Sequence, residues 1–131
     1  MTGLIIATHG EMAQAALNVV EMFTGTQENV ETIGFLPGDS LEVLLSRFQK
    51  ALENLAACEE VLIATDLKGG SPCNAATVMK MQKPNIRVIA GFSIPVLIQF
   101  FEDRTNSMQL TESMETLLDV GKISLCEITI E

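Results

Sequence analysis

The stretch LIIATHGEMAQAAL, residues 4–17, changes its hydrophobic period part-way along. Leu4-Ile5-Ile6-Ala7 is an unbroken apolar run. It is too short for a helix and reads as a strand buried on both faces. From about Glu11 to Phe23 the apolar positions recur at helical spacing, with Met12, Ala16, Val19, Val20 and Phe23 expected on the inward side. Gly25 is a stop signal. A buried strand running through Thr8-His9-Gly10 into an amphipathic helix is the first half of a parallel crossover unit.

The same alternation continues along the chain. Val30 to Phe35 is a second strand, ended by the turn signal Leu36-Pro37-Gly38, where Pro presets φ and Gly accepts a positive φ. Asp39 is expected to cap the next helix, with Glu42 three residues later as in a capping box. Leu41, Leu44, Leu45, Phe48, Leu52 and Leu55 form its apolar stripe. Val61 to Ala64 is a third strand, leading into TDLKGGSP, residues 65–72. There Ser71 is expected as N-cap and Pro72 as first helical residue of a helix to about Met81. Ile86 to Ala90 is a fourth strand, and Gly91-Phe92-Ser93-Ile94-Pro95 opens a helix to about Glu102. Thr111 or Ser113 is expected to cap a last helix, with Met114, Leu117 and Leu118 inward. The tail, Leu125 to Ile130, alternates and reads as an edge strand with one wet face, antiparallel or exchanged with a neighbouring copy.

Four strand-then-helix units within 131 residues predict one domain, 1–131, of α/β class. Right-handed crossovers make it a doubly wound, mostly parallel sheet with helices on both faces. Such sheets bind ligands beyond the carboxyl ends of their strands. His9, Pro37-Gly38, Asp66 to Ser71 and Ser93 all fall at that edge.

Composition narrows the function. A net charge of −9 argues against a grip on nucleic acid or on an anionic membrane. Cys58, Cys73 and Cys126 form no CxxC pair, so neither a zinc site nor a disulfide framework is expected, and free thiols suit a reducing cytoplasm. The opening MTGLII has no basic flank, and its apolar run is too short for a signal peptide or a membrane span. A cytoplasmic protein is the expectation.

His9 is the sole histidine. A lone histidine is often a packing or surface residue, but a strand end before a helix is where this fold places chemistry. Imidazole there can attack a phosphoryl group, act as a general base or bind a metal. No second histidine or recognisable ligand spacing accompanies it, so no metal is expected. Asp66 is either a turn residue or the acceptor of a hydrogen bond from one ring nitrogen, which would set the tautomer and expose the other nitrogen. Gly69-Gly70-Ser71-Pro72 is either a plain turn with a capping serine or a cradle for an anion at a helix N-terminus. No Gly-Lys-Ser/Thr follows the glycines, so it is not a nucleotide-binding P-loop, and GxSxG is absent around Ser71. A hydrolase built on Ser71, His9 and Asp66 remains a competing reading. Ser93 is a helix cap or a second hydroxyl at the site. Met12 is a core residue or part of a docking surface beside His9.

Taken together, IIATHGEMAQA, FLPGDS, TDLKGGSPCNAA and VIAGFSIPVL, in this order, resemble the IIA domain of the mannose family of the bacterial phosphoenolpyruvate:sugar phosphotransferase system. The likeness covers essentially the whole chain. It implies a phosphocarrier that needs no cofactor. His9 would accept a phosphoryl group from phosphorylated HPr and pass it to a IIB component, which serves IIC and IID membrane proteins. It implies that Asp66 orients His9, that Ser71 contacts the phosphoryl group, and that the protein is a homodimer exchanging a terminal strand. Gly69 and Gly70 join Ser71 in binding the phosphate; Met12, Pro37, Lys68 and Ser93 are candidates for the partner surface. Lys68, Cys73 and Ser93 stand where family members often carry an aromatic residue, phenylalanine and asparagine. A related phosphocarrier serving dihydroxyacetone kinase, or a regulatory module reporting phosphorylation state, are the alternatives. The IIA domain does not contact the sugar, so the sugar stays open.

Overall fold

A computed structural model describes residues 1–130; Glu131 lies outside that description. The chain runs β1 (Thr2–His9), α1 (Met12–Thr24), β2 (Val30–Phe35), α2 (Leu41–Asn54), β3 (Glu60–Thr65), α3 (Ser71–Gln82), β4 (Ile86–Ala90), α4 (Ile94–Thr105) and α5 (Leu110–Ser124). The four strands pair in the order β2-β1-β3-β4, all parallel. This is the expected doubly wound sheet. β1 leads outward to β2, and the chain then crosses back to β3 on its other side. The order therefore reverses between β1 and β3, and a crevice opens at their carboxyl ends.

Strand alternation divides the core in two. Leu4 and Ile6 of β1, with Leu62, Ala64 and Ile89, pack under α1, α4 and α5. Ile5 and Ala7, with Ile33, Ile63 and Ile86, pack under α2 and α3. Because β1 is central and covered on both faces, Leu4 to Ala7 are fully buried, which accounts for the unbroken apolar run. Phe48, Phe100 and Phe101 are also fully buried, and each such side chain contributes about 1.5–3 kcal/mol of burial.

Several helix details differ from expectation. The inward face of α1 is Ala13, Ala16, Leu17 and Val20. Met12, Val19, Met22 and Phe23 are exposed. Two small alanines at i and i+3 seat the helix against the sheet beside Leu17 and Val20, and Met12, Val19 and Phe23 turn outward. Asp39 does not cap α2. Its carboxylate accepts the Leu36 N–H at 2.8 Å and Arg47 Nη1 at 2.6 Å, leaving Ser40 Oγ to accept the Val43 N–H at 3.1 Å. Gly70, not Ser71, is the N-cap of α3, and Ser71 is its first helical residue. α5 starts at Leu110 with Gln109 at the cap position, ahead of Thr111 and Ser113. Its start is held by the Leu110 N–H donating to Glu60 Oε1 at 3.2 Å, and Ser113 is instead buried, donating to Asp103 Oδ2 at 2.6 Å. Ser93 caps α4 as expected, accepting the Val96 N–H at 3.4 Å.

The expected C-terminal edge strand does not form within this chain. Residues 126–130 pair with no strand, and Leu125, Ile128 and Ile130 are 91%, 84% and 99% exposed. A strand exists only alongside another, and the tail pairs with neither open edge of its own sheet.

Candidate functional site

His9 is the last residue of β1, in register with Phe35 of β2. Thr8 before it points to the α1 side, where its buried hydroxyl accepts the Ala13 N–H at 2.9 Å and ties the helix start to the strand. Gly10 after it turns the chain with φ +61° and donates its N–H to the Phe35 carbonyl at 2.9 Å. By strand alternation the His9 side chain lies on the α3 side.

Asp66 is the first residue beyond β3. Its Oδ2 accepts the His9 backbone N–H at 3.1 Å and lies 2.9 Å from His9 Nδ1. A carboxylate only accepts, so Nδ1 carries the proton and Nε2 is left with a free lone pair. The pair is graded in exposure: 44% of the His9 side chain is open to solvent against 16% of Asp66. Asp66 Oδ1 is buried with no hydrogen-bond partner, the sole such side-chain atom among the described residues. An orphaned carboxylate oxygen is costly in a finished core, and its position beside a half-open histidine makes the pair the candidate site.

The start of α3 closes the site. A Cβ on Gly70 would stand 2.7 Å from His9 Cε1 and 3.4 Å from Nε2, so the imidazole occupies the space a side chain would need. Gly69 turns at φ +83° to bring the loop in. The N–H groups of Ser71 and Cys73 have no partner within the first turn, and Pro72 contributes none, so the positive helix end faces the ring. With Gly70 as cap, the Ser71 hydroxyl is free of that duty. No hydrogen bond joins Ser71 to His9 among the described residues. Lys68 is exposed in the same loop.

The other candidates lie further out. Ser93 follows β4, which β3 separates from β1, so two strand spacings, about 10 Å in all, lie between its strand and that of His9. Its hydroxyl is engaged in capping α4. Pro37 is exposed in a turn closed by the Asp39 N–H on the Leu36 carbonyl at 3.0 Å, with Gly38 at φ +89°. Met12 is half exposed at the start of α1. No cluster of three or more His, Cys, Asp or Glu side chains able to hold a metal occurs among the described residues. A cavity of about 750 Å³, lined by neither His9 nor Asp66, lies between α1, α2 and the free edge of β2.

Three residues of β2 and α2 escaped the sequence reading. The Phe35 ring meets the His9 ring edge-on, with centroids 6.1 Å apart and planes at 81°. A Cβ on Gly34 would stand 2.5 Å from the Gly10 carbonyl oxygen. Arg47 Nη1 donates to the Gly34 carbonyl at 2.8 Å as well as to Asp39. This contact and the Leu36 N–H hold the Asp39 carboxyl below its usual range. A glycine near the end of a strand was the one available signal, since it marks a close backbone approach.

Residues 3–118 match the protein family described as "PTS system fructose IIA component", EIIA-man. The chain belongs to this family. This EIIA-man chain is 35% identical over 119 residues to the "PTS system mannose-specific EIIAB component" of Escherichia coli K12, covering 91% of itself but 37% of that longer protein. It thus spans little more than a third of that relative. It is 36% identical over 104 residues to the "PTS system sorbose-specific EIIA component" of Klebsiella pneumoniae, covering 79% of itself and 76% of the relative. Among solved structures, it superposes on the mannose/sorbose specific IIA subunit from Enterococcus faecalis with a TM-score of 0.86 at 26% identity, over 99% of this chain and 96% of that one. The IIA protein associated with the fucose utilization operon of Streptococcus pneumoniae gives 0.83 at 29% identity, over 96% and 92%. Among the described residues of this EIIA-man chain, no helix is long and apolar enough to cross a membrane.

Proposed function

We propose that this EIIA-man chain carries a phosphoryl group in transit, accepting it on His9 from phosphorylated HPr and passing it to a IIB component. The observation that carries the reading is the Nδ1–Asp66 contact of 2.9 Å, which leaves Nε2 as the nucleophile. The Nε2 lone pair attacks phosphorus in line. As the new N–P bond forms, the donor's N–P bond breaks and its electron pair returns to the donor imidazole. The Nδ1 proton stays against Asp66, whose charge favours the ring as it becomes cationic. The second transfer runs the same way, with the IIB nucleophile attacking and the pair returning to Nε2.

Phosphoryl transfer asks the protein for position and electrostatics. In this reading the Ser71 and Cys73 N–H groups, the Ser71 hydroxyl and the glycine turn 69–70 receive the phosphoryl oxygens. Lys68 supplies further positive charge from the same loop; an unchanged rate of transfer from HPr in Lys68→Ala would remove it from the mechanism. The phosphoryl group arrives already activated as phosphohistidine, so no nucleotide enters the step. Met12, Pro37 and the open side of His9 form the surface the partners meet. The unpaired tail supports a homodimer in which residues 125–130 join the sheet of a second copy. Through IIB the carrier serves IIC and IID proteins in the membrane.

Incubation with phosphoenolpyruvate, the general phosphotransferase enzyme and HPr tests the reading. Wild type should gain the mass of one phosphate and His9→Ala none; an unlabelled wild type would overturn it. Adding IIB proteins or dihydroxyacetone kinase subunits then identifies the acceptor. The mannose-, sorbose- and fructose-specific names of relatives favour IIB.

A further inference from the structure

We infer that Phe35 is a positioning residue for His9, holding the imidazole so that Nδ1 stays on Asp66 and Nε2 points outward. The inference rests on the carrier reading above for its kinetic consequence. The His9 ring has one hydrogen bond, to Asp66, and nearly half of it is open to solvent. A half-turn about its Cβ–Cγ bond would exchange Nδ1 with Cδ2 and Nε2 with Cε1, losing the Asp66 bond and turning Nε2 away from its working place. Gly70 restrains the Cε1 edge. Phe35 supplies a second wall, edge to face at a centroid distance of 6.1 Å, within the range in which aromatic pairs attract.

The wall is itself anchored. Phe35 packs against the buried cluster that includes Ile5, Ala7 and Phe48. Its carbonyl accepts the N–H of Gly10, the residue after His9, so both rings stand on one hydrogen-bonded frame. Gly34 permits that frame by leaving room for the Gly10 carbonyl. β2 has no neighbour on its outer side, and there the Gly34 carbonyl is held by Arg47 instead of by another strand. A bulky aliphatic side chain at position 35 would fill the volume without presenting an aromatic wall. The prediction is therefore about orientation of the nucleophile and not about partner binding.

The test compares wild type with Phe35→Leu and Phe35→Tyr. In ¹⁵N spectra of the His9 ring, wild type and Phe35→Tyr should show a protonated Nδ1 and a bare Nε2, whereas Phe35→Leu should show values averaged between tautomers. Loss of orientation should lower kcat for phosphoryl uptake about ten- to a hundredfold in Phe35→Leu while KM for phospho-HPr stays within about twofold. Wild-type shifts and kcat in Phe35→Leu, or a loss confined to KM, would overturn the inference. If Phe35→Leu does not fold, the wild type decides: nuclear Overhauser contacts between the two rings support it, and their absence overturns it. A wild type that takes no phosphoryl group would overturn the carrier reading alone, because the nitrogen spectra report the tautomer that the Asp66 contact selects without any transfer.

Discussion

One oxygen of Asp66 holds His9 twice: Oδ2 lies 3.1 Å from the backbone nitrogen and 2.9 Å from ring Nδ1. The strand end and the tautomer are therefore set by the same atom, across the point where the sheet order reverses. Replacing Asp66 by Asn keeps the shape but removes the charge and lets the amide flip. Phosphoryl uptake by Asp66→Asn is expected to fall by on the order of a hundredfold or more, as when a triad aspartate is neutralised. Quench-flow labelling with phospho-HPr measures it; a wild-type rate would show that the contact is not used.

Gly70→Ala should separate activity from stability. Gly70 has φ −73°, which alanine adopts without strain, so the fold should keep its melting temperature. The added Cβ meets His9 Cε1 at 2.7 Å and must push the ring off Asp66. A misplaced nucleophile costs about a hundredfold in rate. Thermal denaturation beside the labelling assay distinguishes this from a general loss of structure.

Thr8→Val removes the hydroxyl that receives the Ala13 N–H while keeping the side-chain volume. Loss of a capping oxygen is expected to cost about 1 kcal/mol of stability. Urea unfolding with unchanged slope and a lower midpoint is the outcome to look for.

Asp39 links the β2–α2 turn to pH. Its carboxyl is held below the usual range first by the Arg47 hydrogen bond and then by the Leu36 N–H. A lowered folded-state value means that the group stabilises the fold above the ordinary aspartate range and loses that contribution as pH falls through the folded-state value. The stability difference between wild type and Asp39→Asn should therefore be level near neutrality and shrink below about pH 4. Denaturant midpoints across that range check it; a difference that grows on acidification would reverse the assignment.

Removal of residues 125–131 is expected to weaken dimerisation, since it takes away Leu125, Ile128 and Ile130, which the single chain leaves exposed. Sedimentation velocity of full-length and shortened protein measures the shift. An unchanged profile would detach the tail from assembly.

The strands and their parallel arrangement were legible because burial on both faces leaves an unbroken apolar run, as at Leu4 to Ala7. His9, Asp66 and the glycine turn were legible as candidates because each follows such a run. Less legible was α1: Ala16 and Val20 face inward as expected, but Ala13 and Leu17 complete the buried face in place of Met12, Val19 and Phe23. The caps at Asp39 and Ser71 were each displaced by one residue, because Arg47 draws Asp39 away and the His9 ring fills the space beside Gly70.

By itself, then, the sequence determined the fold class and the short list of chemical groups, since hydrophobic period and strand-end position are properties of neighbours along the chain. Which nitrogen of His9 faces outward was decided only in three dimensions. So were the roles of Phe35, Gly34 and Arg47 around it. Those depend on contacts between residues 13 to 57 positions apart, made when elements that are distant in sequence lie side by side. The tail shows the same division: its alternation is written in the sequence, but a strand needs an edge to pair with, and this chain alone does not bring one to it.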